Sequence, residues 1–200
     1  RVVAVKEDGR LLKAEGWLQV VARRFAIQRL TLPPEMVELD EVTKLRVEEE
    51  AAQLQAILNV VSPKPLWRGR FHQPLQNGGD PSGFGARRII NDTERGRHTG
   101  TDFKASLGEP VLAANSGRVA LVAEHFFAGK AVVVDHGLGL YTMYFHLQDT
   151  SVVEGELVEK GQSLGQVGAT GRATGPHLHF GVRLNGSRVD PLSLFQLPLR

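Results

Sequence analysis

The 200-residue sequence contains no cysteine. Disulfides and thiolate metal ligands are thereby excluded, and any transition metal has to be held by histidine and carboxylate. Cysteine usage consequently says nothing about the redox compartment. No run of 18 or more apolar residues occurs, so no membrane-spanning helix is expected. Charge of one sign is also scarce: 24 Lys and Arg against 22 Asp and Glu leave +2. That excess is too small and too dispersed to argue for nucleic acid as a partner. No signal peptide is recognisable. The chain begins at Arg1 rather than Met, in what reads as a strand, and is expected to be a processed or trimmed product, which leaves an exported precursor open.

What is present describes a folded globular chain. Hydrophobic residues make up 42% and charged residues 23%, outside the range of disordered chains. The length suits one domain, or one domain with a smaller appendage. Twenty-two glycines and ten prolines point to many turns and short strands. Residues 1–32 read as short β segments: Val2–Val5, a turn over Glu7–Arg10, Trp17–Ala22, and the alternating Phe25–Leu30. Pro33-Pro34 ends this pattern. Asp40 is a predicted N-cap for a helix running to about Asn59, with Val42, Leu45, Ala51, Leu54, Leu58 and Val61 as its apolar stripe. Glu48-Glu49-Glu50 reads as a solvated face, and Ser62–Pro65 as a linker. From Leu66 onward short strands alternate with glycine turns and no further helical pattern is seen. Glu109–Ala114 and Gly117–Val122 read as a strand pair, Ala131–His136 as a buried strand with Tyr141–Leu147 as its hairpin partner, and Val158–Val167 as two more short strands. The fold class is mainly β: a glycine-rich antiparallel sheet preceded by short β segments and one α-helix. The predicted units are 1–32, a β accessory region; 33–65, helix and linker; and 66–200, the main domain.

The chemistry gathers around Pro176-His177-Leu178-His179-Phe180. On a strand, histidines two apart share a face. A catalytic zinc takes three protein ligands and leaves a position open. His98-Thr99-Gly100-Thr101-Asp102 supplies two more donors of the right type; Thr and Gly are poor helix formers, so this segment is predicted to be extended. His146, placed at the end of its strand, is a fifth titratable group. There is no His-Glu-x-x-His, so the glutamate base of that motif is absent and histidines must do the proton work.

Those segments, in this order, resemble the LytM-type peptidoglycan endopeptidases of metallopeptidase family M23. Supporting matches are Phe84-Gly85-x-Arg87, Pro110-Val111-x-Ala113, Gly117-x-Val119, Val134–Gly137, Tyr144–Leu147, and the glycine loop from Gly168 to Pro176. The likeness covers roughly residues 66–195. Arg29, Leu32-Pro33-Pro34 and the acidic helix resemble the accessory region of Gram-negative members. The resemblance implies one zinc ion per chain on His98, Asp102 and His179, with His146 and His177 beside it, activating the water and stabilising the tetrahedral intermediate. It implies a peptidoglycan peptide substrate and a periplasmic, secreted or cell-envelope location. Lys130 stands where a small polar residue, often asparagine, commonly follows the glycine; it is expected to tune the groove.

Other readings stand beside this one. His72, His125 and His136 are read as structural. Arg87 is read either as meeting a substrate carboxylate or as forming a surface ion pair. The loop 168–175 is expected to wall the groove. A catalytically silent scaffold or amidase activator of the same fold would be expected to lack some of the ligands, whereas this chain keeps them all. A lipoyl- or biotinyl-carrier sandwich would need a modifiable lysine at a hairpin tip, and Lys130 lacks carrier-like flanks.

Overall fold

The computed structural model describes residues 2–5, 11–14, 17, 19–76, 81 and 83–198. Strands β1 (Val2–Val5) and β2 (Leu11–Ala14) pair antiparallel with each other. The predicted turn at Glu7–Arg10 lies outside the described residues. Trp17–Ala22 was expected to be a strand, but its described residues form none; Trp17 is fully exposed and Val20 93% exposed. Among the described residues, no strand pairs with this stretch, and Trp17, Val20 and Val21 stay exposed.

Strand β3 (Ile27–Leu30) runs parallel to β4 (Arg87–Ile90), which turns back into β5 (Thr93–Arg97). The β4–β5 connection is the two-residue Asn91-Asp92, with φ of 47° and 62°. Both central residues at positive φ define the hairpin turn that Asn and Asp tolerate. Asn91 also clasps the tail of β3: its amide nitrogen donates to Leu32 O and its oxygen accepts from Leu32 N.

Helix α1 (Glu41–Leu58) begins where predicted, with the Asp40 carboxylate accepting from Thr43 N at 2.7 Å. Its apolar stripe is used only at the C-terminal end. Leu54, Ile57 and Leu58 pack on Leu121, Val133, Tyr141 and Met143, while Val42 and Leu45 stay exposed. Burying Leu58 contributes about 1.5–3 kcal/mol to that docking. Glu50 is not merely solvated: it accepts from Arg46 and from the Phe126 backbone N–H, tying α1 to the sheet.

Among the described residues the main sheet has nine strands: β6 (Thr101–Lys104), β7 (Pro110–Leu112), β8 (Gly117–His125), β9 (Gly129–Asp135), β10 (Leu140–Thr150), β11 (Leu157–Val158), β12 (Ser163–Val167), β13 (His177–Leu184) and β14 (Ser187–Val189). The β9–β10 hairpin forms as expected. The expected pair at 109–122 does not: β7 pairs with β12, and β8 with β9 and β11. The Asn115 side chain, accepting from Arg68 N and Ser116 N, holds the turn between β7 and β8, which pair apart: β7 with the far-off β12, β8 with the next strand β9. A short helix α2 (Pro191–Gln196) closes the described chain where no helix was expected. Six residues are too few for helical periodicity to register, although Asp190 as cap and Pro191 at the first turn are start signals.

The central strand is β10. Its first half pairs with β13 and its end with β12. The two branches therefore part near Phe145–Leu147, and the loop joining β12 to β13 spans the gap. Alternation fills both faces of the sheet. Val132, Val134 and Tyr144 enter the larger core with Phe103, Leu178 and Phe180, while Val133, Tyr141 and Met143 face α1.

One buried polar chain crosses the larger core. His136 Nδ1 lies 2.8 Å from Ser116 O, Nε2 lies 2.7 Å from Thr142 Oγ1, and the Thr142 and Tyr144 hydroxyls are 2.9 Å apart. Tyr144 accepts from Ala114 N. With Tyr144 donating to Thr142 and Thr142 to Nε2, every group has a partner, provided His136 is neutral. A second ring proton would reverse the chain and leave the Tyr144 hydroxyl without an acceptor. Burial accordingly pushes His136 down to about 4, against the Ser116 bond. Since the folded value lies below the ordinary one, the unfolded chain takes up the proton first. Stability is present above pH 6.5 and is lost as pH falls through about 4, by on the order of 3 kcal/mol. Urea unfolding in chelator at pH 7 and pH 4 is expected to show that loss in the native sequence and a smaller one in His136→Gln. Equal losses in the two proteins would clear His136 as the source.

Candidate active site

The period of β13 separates its residues by face. Leu178 and Phe180 are fully buried in the core, and His177 and His179 lie on the other side. Antiparallel pairing with β6 places Asp102 directly opposite His179, so register alone brings carboxylate and imidazole together. His98 lies in the turn between β5 and β6 rather than on a strand. It is anchored by His98 N donating to Ala86 O and Gly85 N donating to His98 O.

These three side chains converge. His98 Nε2 and His179 Nδ1 are 3.0 Å apart, and Asp102 Oδ1 lies 3.0 Å from the former and 2.8 Å from the latter. Glycine backbone presses on both rings. A Cβ on Gly83 would lie 2.3 Å from His98 Nδ1, and one on Gly100 2.6 Å from His179 Nε2. The donor set fits a metal ion. Protons can satisfy the triangle only by sitting on both ring nitrogens and pointing at one oxygen, which sets two N–H groups against each other at 3.0 Å. A cation serves all three lone pairs at once. Tetrahedral bonds of about 2.0–2.1 Å require donor separations of about 3.3 Å, close to those observed. Two imidazoles and a carboxylate suit zinc chemically.

The charge balance supports the same triangle. Burial works to raise the Asp102 pKa, yet hydrogen bonds and charge from His179 and His98 outweigh it and hold the carboxyl well below its usual range. Burial pushes His179 down despite its bond to Asp102, which favours the neutral, ligating form. Asp102 Oδ2 accepts from Arg88 at 3.2 Å, and Arg88 Nε donates to Gln28 Oε1 at 2.9 Å.

His146 and His177 flank the triangle. His146 is not at a strand end as predicted but inside β10, at a bulge between Tyr144 and Leu147, with φ of 64°. The extra residue re-aims the side chain, a common use of bulges beside sites. Its Nδ1 lies 2.9 Å from Thr170 O, and that of His177 2.8 Å from Gly175 O. Each Nδ1–H donates to a carbonyl, so each Nε2 presents a lone pair. The two ring centroids are 4.7 Å apart, and His177 Nε2 lies 3.9 Å from Asp102 Oδ1. Burial, then the charges of His179 and His177, push His146 down to about 3. The five predicted residues therefore lie together, three as a donor triangle and two beside it.

The remaining readings sort by position. Arg87 makes a bidentate pair with Glu94, at 3.0 and 2.7 Å, and is exposed. Its neighbour Arg88, not singled out in the sequence, faces the site. Adjacent strand residues point to opposite faces, so Arg87-Arg88 promised one inward guanidinium without saying which. His125 bonds Gln53 of α1, and His72 bonds the next carbonyl, Gln73 O. Lys130 Nζ donates to Gln148 O and does not sit at a hairpin tip. The 168–175 loop lines the clefts beside the donors through Arg172, Ala173, Thr174 and Gly175.

Comparison with known proteins places the chain in a family. Residues 96–191 match the model of peptidase family M23. Peptidoglycan DD-endopeptidase ShyB of Vibrio cholerae is 42% identical over 112 residues, covering 56% of this chain and 26% of that protein. The chain thus spans about a quarter of the length of the curated relatives it matches. A zinc-containing peptidase structure from V. cholerae aligns with TM-score 0.58 at 38% identity, covering 62% of this chain and 39% of the other. The catalytic domain of lysostaphin from Staphylococcus simulans aligns with TM-score 0.51 at 30% identity over 59% of this chain and 92% of that domain. With the family model matched over residues 96–191 and 92% of a lysostaphin catalytic domain aligned at 30% identity, the chain belongs to peptidase family M23, among the LytM and lysostaphin-type members.

Proposed function

We propose that this chain carries the catalytic unit of a zinc-dependent endopeptidase that hydrolyses peptide bonds in peptidoglycan stems or cross-links, acting in the periplasm or elsewhere in the cell envelope. The observation that carries the reading is the His98–Asp102–His179 triangle with two further imidazoles presenting lone pairs beside it. Residues 66–200 are proposed as the peptidase domain, residues 33–65 as helix and linker, and residues 1–32 as an accessory region that lends β3 to one wall of the site.

His98, Asp102 and His179 would hold the ion. When bound there, zinc supplies Lewis acidity that polarises a peptide carbonyl and makes a water acidic enough to react near neutral pH. The remaining work falls to the chain. Thr170 and Gly175 carbonyls fix the tautomers of His146 and His177, so their Nε2 atoms are ready to take the water proton. A ring so protonated becomes a donor, suited to the oxyanion and then to the departing amine. Arg88 holds the far oxygen of Asp102, leaving Oδ1 between His98 and His179, where it would meet the ion.

Digestion of purified peptidoglycan sacculi tests this reading. Soluble fragments are expected with masses that correspond to cleaved peptide cross-links or stems. Their release is expected to stop with chelator and to return with Zn²⁺. No release, or release indifferent to chelator, would refute the proposal.

A further inference from the structure

Two clefts meet at the metal donors. One runs between β3, β4 and the 168–176 loop; the other lies over Thr99, Phe127 and Phe145. Arg88, His146 and Arg172 line both. The two guanidinium groups are differently employed. Arg88 is committed to Gln28 and Asp102. Arg172 stacks over the Phe127 ring at 3.9 Å from its centroid and, among the described residues, has no hydrogen bond or ion pair from its guanidinium. It is held in place, and no described residue supplies a counter-ion.

That position is electrostatically uncomfortable. Burial lowers the Arg172 pKa, and the charges of Arg88 and Arg95 lower it further. A guanidinium remains protonated regardless, so the cost stays with the protein until an anion arrives. An ion held by His98, Asp102 and His179 would add positive charge to the same face. The Phe127 ring holds the guanidinium beside both clefts, and a fork restrained in this way is preorganised for the two parallel hydrogen bonds that a planar carboxylate accepts.

We infer that Arg172, backed by Phe127, forms a carboxylate subsite that selects peptides bearing a free carboxylate next to the scissile bond. This rests on the endopeptidase reading for the nature of the ligand. Arg172 acts here as a specificity residue, and the proton work of His146 and His177 does not depend on it.

The test is equilibrium binding to the purified full chain, by calorimetry or NMR titration. Three probes are compared: N-acetyl-D-alanyl-D-alanine, its C-terminal carboxamide, and N-acetyl-D-alanyl-D-glutamate α-amide, whose single carboxylate is on a side chain. At least one acid is expected to bind about tenfold more tightly than the carboxamide, and which one tells whether a chain terminus or a side chain supplies the group. Arg172→Gln is expected to remove that preference, with carboxamide binding unchanged. Phe127→Leu keeps the charge but removes the stacking ring, and is expected to reduce the preference severalfold. No preference in the native chain overturns the subsite. So does a preference that survives Arg172→Gln, because it then belongs to the metal centre. The endopeptidase reading fails separately: sacculi left uncut by a chain that still shows an Arg172-dependent preference would refute the reaction and keep the subsite.

Discussion

Replacing His179 with alanine is expected to give a folded chain that no longer retains a stoichiometric metal ion. The side chain lies on the site face of β13, while the fold is held from the other face by Leu178 and Phe180. The core therefore loses nothing, apart from the stacking of the ring on Phe145 at 5.6 Å. The donor set loses one of three members, and the two left offer an incomplete shell. The drop in metal affinity should exceed the about 10–100-fold that removing a ligand's outer partner costs. Turnover should fall with the metal content. Asp102 also loses its closest hydrogen-bond donor, so its carboxyl relaxes upward from its depressed value. Elemental analysis of the dialysed protein, with circular dichroism as a check on folding, measures the effect. A full equivalent of zinc in His179→Ala would remove this residue from the ligand set.

The site was more legible in the sequence than the fold around it, for physical reasons. His-x-His on a strand fixes a shared face through period 2 alone, and β13 shows it. The order of His98, Asp102, His146, His177 and His179 within family-like segments pointed to five side chains that the fold brings together. Nothing local, however, could say that Asp102 would stand opposite His179, because register between β6 and β13 is set by residues some 75 positions apart. The same non-locality misled the reading of 109–122, where β7 pairs with the far-off β12 while β8 turns straight back into β9. Arg172 escaped notice because it sits in a glycine loop, where no periodicity assigns a direction, and its meaning depends on Phe127 from another turn. The role of β3 was hidden for a similar reason. Its parallel pairing with β4, which brings Gln28 to Arg88, spans 60 residues and a helix. The helix itself was legible because its caps are local, but the fraction of its stripe that docks was not.

His146→Ala is expected to separate catalysis from metal binding. His146 is not one of the three converging donors, and its Nδ1 is occupied by Thr170 O, so metal content should stay near that of the native chain. Turnover should fall by about 10²–10⁴-fold, the usual weight of a positioned acid–base group. Backbone strain does not blur the comparison: the bulge holds φ at 64°, and alanine, like histidine, carries a Cβ and bears a similar cost there. The pH profile adds a discriminating readout. With its pKa pushed down to about 3, His146 stays neutral across the range in which ordinary histidines titrate. Acid loss of activity in the native chain then arises from other groups, since proton uptake competes with metal ligation. The His146→Ala profile should consequently be lower in height while its acid limb keeps its position. Near-native turnover would deny His146 a part in the chemistry. A limb displaced toward alkaline pH would show that its neutral ring had been protecting its neighbours from protonation instead of handling the substrate's proton.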